Sequence, residues 1–140
     1  MLDKQALKQR VEEIDRRLLL LNSFIGSDET NFCENPFEYD FAIRQLQVAI
    51  EACLDIAKII IASEGFDRPK ELKEVFKILA DRKIIDKNLA DKLTQAAGFR
   101  NITVHSYLEI DLNRVYEYIQ TNLVDFEDFQ RQIDKNVVQK

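Results

Sequence analysis

Apolar side chains recur three and four residues apart near the start of the chain, at Leu7, Val11, Ile14, Leu18, Leu21 and Ile25. This spacing puts them on one stripe and predicts a helix over residues 3–24. "GSDETNFCENPFEYD" follows, rich in Asp, Asn and Glu with one Gly and one Pro, and predicts a loop over 26–38. The next pattern, over 38–64, is broader. Phe41, Leu46, Ala49, Ile50, Cys53, Leu54, Ala57 and Ile61 form one apolar face, and Val48, Ala52, Ile56 and Ile59 carry it around the back. Only Arg44, Gln47, Glu51, Asp55 and Lys58 make a narrow polar stripe. A helix apolar nearly all round belongs in the middle of a bundle.

"GFDRP" breaks the chain, and Leu72, Val75, Phe76 and Leu79 predict a short helix at 70–82. A fourth helix is expected to begin near Asp86, with Leu89, Ala90 and Leu93 inward, and to run on past residue 97 until "YLEID" interrupts it. Asp111 is the expected N-cap of a last helix over 112–138, carried by Leu112, Val115, Ile119, Leu123, Phe126 and Ile133. Internal repeats and low-complexity segments are absent from the sequence. The expected fold is all-α, an antiparallel helical bundle of about five helices in a single domain over 1–140.

Composition narrows the function. Three Gly and two Pro are too few for the turns of a β-sandwich, and 46% hydrophobic with 32% charged residues is the balance of a soluble globular chain. The N-terminal residues lack the apolar core of a signal peptide, and no stretch approaches the roughly 20 apolar residues of a membrane span. Cys33 and Cys53 stand apart, without a CxxC pair or a nearby His, so neither a zinc site nor a disulfide framework is expected. A reducing cytoplasm is the expected setting. A formal charge of −5 argues against broad electrostatic binding to nucleic acid, though not against a small local site.

One segment concentrates chemistry. "AGFRNITVHSYLEID" holds the only histidine of the chain, His105, with Arg100 and Asn101 before it and Tyr107 after it. If residues 99–106 are helical, Phe99, Ile102 and Ser106 share an inward face, while Arg100, Asn101, Val104 and His105 look outward within about 140° of arc. A valine amid outward polar groups suggests a covered surface, and the same helix of a second subunit is a simple cover. A homodimer would then form one cleft with two arginines and two histidines. Asn101 is four residues from His105 and can orient its imidazole. Arg suits phosphate oxygens, and His passes protons near neutrality. Together they can cleave RNA with no metal and no cofactor, one histidine taking the 2′-hydroxyl proton or giving one to the leaving 5′-oxygen. DNA, without that hydroxyl, would be inert. The same residues also admit a plainer reading, in which His105 is a packing or surface residue, Arg100 a solvated charge and Tyr107 a core ring. Glu51 and Asp55, four apart on the polar stripe, are either a solvated pair balanced by Arg44 and Lys58 or acids that orient Arg100 or His105.

Arg100-Asn101, three residues, His105, one residue and Tyr107 resemble the signature of HepT-like toxins of the HEPN superfamily. "FAIRQLQVAIEACLDIAKIII" resembles the family's central helix, and "ELKEVFKILADRKIIDKNLADKLTQAAGFRNITVHSY" its third and fourth. The resemblance covers residues 1–135 or so and is densest over 36–120. It implies a homodimeric, all-α endoribonuclease of a HepT/MntA-type (type VII) toxin–antitoxin pair, with Arg100 and His105 catalytic and Asn101 in support. The implied substrate is RNA, either tRNA or mRNA. The implied partner is a nucleotidyltransferase antitoxin that transfers AMP onto Tyr107. The alternative within the same superfamily is a non-catalytic module that binds nucleotide or protein and partners a nucleotidyltransferase.

Overall fold

The computed structural model describes residues 2–101 and 111–139. The elements are α1 (Lys4–Asn22), α2 (Glu29–Glu34), α3 (Pro36–Glu64), a 3-10 turn (Leu72–Glu74) leading into α4 (Val75–Asp81), α5 (Lys87–Ala96), a second 3-10 turn (Ala97–Asn101), α6 (Leu112–Asn122), α7 (Val124–Ile133) and a closing π turn (Asp134–Val138). No strand occurs among the described residues, and the chain is all-α.

α3 is the axle of the fold. Its buried residues, from Ala42 through Leu46, Ile50, Leu54 and Ile56 to Ile61, spread around most of its circumference, as its sparse polar pattern predicts. α1 lies antiparallel along it, because Arg10 bonds Asp55 near one end and Arg17 bonds Gln45 near the other. α4, α5 and α7 close the remaining sides, with Phe76 and Phe129 meeting edge to face at 5.8 Å. Burying side chains of this size stabilises the fold by roughly 1.5–3 kcal/mol each. Helix ends are set locally. Asp86 accepts from Leu89 N at 2.7 Å to start α5, and Asp111 accepts from Asn113 N and Arg114 N to start α6. Gly65, at φ 69°, supplies the left-handed residue that ends α3.

Five expectations need correction. The predicted loop over 26–38 contains α2, which Asp28 caps and which buries Phe32 completely; six residues are too few to show a period. α3 also starts earlier than expected, with Asn35 as cap and Pro36 in its first turn. α1 ends at Asn22, so Phe24 is buried where Ile25 was expected, and Ile25 is 51% exposed. The single last helix is in fact two. The apolar spacing passes unbroken through Leu123, but the chain turns there, with Phe126 N bonded to Leu123 O and the Asn122 amide bonded to Asp125. Phe41, expected on the apolar face of α3, is 41% exposed.

Candidate functional site

α5 does not run on as an α-helix toward the histidine. It tightens into the 3-10 turn at Ala97, where Ala97 and Phe99 pack on the core and Arg100 is left half-buried at the rim. Phe99 meets the Tyr118 ring edge-on at 5.3 Å, and Tyr118 in turn meets Phe126. These rings anchor the turn from below. From the side it is held by α3: Gln47 Nε2 donates to Phe99 O at 3.2 Å and to Arg100 O at 3.4 Å.

One helical turn further along α3, Glu51 Oε1 lies 3.2 Å from Arg100 Nε. Gln47 and Glu51 therefore grip one residue at two points, backbone and side chain. The Arg100 and Glu51 side chains are 29% and 48% exposed, so water screens the pair and its contribution to stability is at most about 1 kcal/mol. Its consequence is geometric. The carboxylate draws the Nε side of the guanidinium toward α3, and a guanidinium has further donors on its two Nη atoms. An open recess of about 420 Å³, lined by Leu54, Lys73, Thr94, Gly98 and Arg100 among others, adjoins it.

Of the two acids singled out on the polar stripe, the structure brings only Glu51 to the arginine. Asp55 accepts instead from Arg10 Nε at 3.1 Å and ties α3 to α1. Asn101 closes the 3-10 turn, so its step from Arg100 is that of a 3-10 turn and not the α-helical one expected. The side chain of Asn101, and His105, Tyr107 and Val104 altogether, lie outside the described residues. Gln47 was legible only as a member of the stripe. The signal that could have found it is its place one turn before Glu51.

Both cysteines are free. Burial pushes the Cys53 thiol far up, and burial followed by the charges of Glu29, Asp111 and Glu34 raises Cys33. Neither thiol is primed as a nucleophile. Burial, then Asp125 and Cys53, likewise raises the Tyr118 phenol, whose hydroxyl is buried without a hydrogen-bond partner among the described residues. Among those residues no three His, Cys, Asp or Glu side chains cluster as a metal ion would need, and no helix is long and apolar enough to cross a membrane.

This geometry can be set beside known proteins. A family model described as Ribonuclease HepT-like matches residues 14–133. The chain belongs to the HepT-like ribonuclease family. An mRNA nuclease HepT of Shewanella oneidensis is 36% identical over 120 residues, spanning 86% of this chain and 90% of that protein. A tRNA nuclease HepT of Aphanizomenon flos-aquae is 26% identical over 132 residues, 94% of this chain and 90% of that one. In three dimensions, a tri-AMPylated Shewanella oneidensis HEPN toxin, solved in complex with an MNT antitoxin, matches with a TM-score of 0.86 at 32% identity. That match covers 96% of this chain and 99% of the other. The HepT-like family resemblance read from the motif and from the pattern of α3 is thus shown along most of the chain.

Proposed function

We propose that this protein is a cytoplasmic, metal-independent endoribonuclease toxin, one HEPN-like domain that works as a homodimer. The observation that carries the reading is Arg100, the first residue of the motif, held at 3.2 Å by Glu51 and through its backbone by Gln47. The relatives named as an mRNA nuclease and a tRNA nuclease support RNA as the substrate class.

In this reading His105 of one subunit takes the proton of a ribose 2′-hydroxyl, whose oxygen attacks the adjacent phosphorus. The bond to the 5′-oxygen breaks, and His105 of the other subunit supplies the proton to that leaving oxygen. The products are a 2′,3′-cyclic phosphate and a 5′-hydroxyl. Arg100 places donors where charge builds on the phosphoryl oxygens, and Glu51 is a positioning residue that draws the guanidinium toward α3. Asn101 orients the imidazole.

Control falls to Tyr107. A nucleotidyltransferase antitoxin transfers AMP from ATP to its phenol oxygen, with pyrophosphate leaving. The added phosphate then competes with RNA phosphate for Arg100. The tri-AMPylated, antitoxin-bound toxin of similar fold supports this. The direct test is incubation of purified protein with total RNA in EDTA, beside His105→Ala. Cleavage by the parent protein alone is expected. Intact RNA in both lanes would leave a binding module as the reading.

A further inference from the structure

The exposed stripe of α3 has an order that its role in the fold does not explain. Phe37, Phe41, Arg44, Val48, Glu51 and Lys58 lie within about 100° of arc, with Asp40 and Asp55 among them. Phe37 is 91% exposed and Phe41 41%, on a helix whose other sides are packed. Arg44 is exposed and makes no ion pair among the described residues. The stripe is roughly 30 Å long, the breadth of a patch of about 800 Å² such as each partner gives to a standard interface. It runs directly into the Glu51–Arg100 pair.

Reversed end for end, the stripe complements itself. A two-fold axis crossing α3 between Gln47 and Val48 sets Arg44 opposite the second copy's Glu51, Phe37 opposite its Lys58, and Asp40 opposite its Asp55, an acid already bonded to Arg10 of its own copy. The Glu51 carboxylate meets a cation and the exposed ring meets a lysine stem and ammonium, so both features without a partner find one. We infer that a second copy of this chain docks antiparallel on the α3 stripe, and that Arg44 from that copy enters the Glu51–Arg100 site as a further phosphate-binding residue. Within one copy Glu51 and Arg100 cancel in charge. With Arg44 added, two guanidiniums surround one carboxylate, and the site is positive although the chain is acidic overall. Each site is incomplete without the other copy.

This inference rests on the dimeric nuclease reading, and its test separates the two. Val48 lies beside the axis, so Val48→Cys should give a disulfide-linked dimer on mild oxidation, while Leu19→Cys, 74% exposed on α1, should not. Arg44→Glu should weaken dimerisation at least tenfold by light scattering, and Arg44→Glu with Glu51→Arg should restore it. Arg44→Ala, assayed at a concentration that keeps the dimer, should raise KM for RNA about tenfold with a smaller change in kcat, and Arg44→Lys should recover part of it. A stable, active dimer that neither cross-links through Val48→Cys nor responds at Arg44 would overturn the inference and leave the nuclease reading standing. So would Phe37→Ser and Phe41→Ser variants that lose only antitoxin binding. A monomer that cleaves RNA would overturn this pairing and the composite site together.

Discussion

Glu51 and Asp55 are the same chemistry one turn apart on one helix, and the structure gives them different work. Asp55 reaches across to Arg10 and fastens α1 to α3. Glu51 reaches the other way, to an arginine on an irregular turn. Both pairs are partly exposed, so neither contributes much to stability. The difference lies in the second grip. Gln47 holds the backbone of Arg100, whereas the Arg10 side chain leaves a regular helix that would stand without it. An ion pair on a secured backbone fixes a direction; one between two helices only adds a fastening.

The harshest way to break this comparison is to remove the arginines. Arg100→Ala should lower RNA cleavage by about 10²–10³-fold, and His105→Ala by a similar or larger factor, while helix content by circular dichroism is kept. Arg10→Ala should leave cleavage within about twofold of the parent, because its partner is a fastening carboxylate; a loss as deep as that of Arg100→Ala would erase the distinction. Neutralisation offers the next largest effect. Tyr107→Phe is expected to retain most nuclease activity and to escape silencing by a catalytically competent antitoxin with ATP, with mass spectrometry finding AMP on Tyr107 of the parent protein only. Silencing of the phenylalanine variant by a catalytically dead partner would make binding, not modification, the switch.

The carboxylates themselves sharpen the contrast. Glu51→Gln should reduce kcat roughly tenfold, mostly sparing KM, with partial recovery in Glu51→Asp. Asp55→Asn should do neither and should cost under about 1 kcal/mol in a urea melt. Equal kinetic effects would place both acids in one role.

Much of this arrangement was legible in the residues, and the gaps have physical causes. The crowded apolar circumference of α3 announced a central helix, Asp86 marked the start of α5 and Asp111 announced the cap of α6, because these signals are local. α2 was invisible because its stability comes from one buried phenylalanine and a cap, not from a period. The break at Leu123 was hidden because Ile119, Leu123 and Phe126 keep helical spacing across a bend that a single side-chain bond accompanies. At the site, the stripe singled out Glu51 and Asp55 equally. Which of them meets Arg100 depends on where the 3-10 turn lands against α3, a tertiary fact that no spacing within α3 contains.

A third carboxylate gives the smallest expected effect. Hydrogen bonds from Leu89 N and then Gln132 hold Asp86 below the usual carboxylate range. Its folded pKa is therefore depressed, so its contribution is present above the unfolded value and lost as pH falls through the folded one. Asp86→Asn should flatten the acid limb of a thermal-melt pH series slightly and leave cleavage unchanged. A steeper acid limb would contradict the assignment.

The central claim is that a proton-transferring histidine and a fixed arginine, without a metal, turn the ribose 2′-oxygen on its own phosphate. Its most direct test uses two oligonucleotides around a bond the protein cuts in total RNA, one all-ribo and one with a single 2′-deoxy sugar on the 5′ side of that bond, both in EDTA. The expected result is cleavage of the first to a 2′,3′-cyclic phosphate and a 5′-hydroxyl, with the second intact. Cutting of the deoxy-substituted strand at that bond, or cleavage of the all-ribo strand only after magnesium is restored, would contradict it.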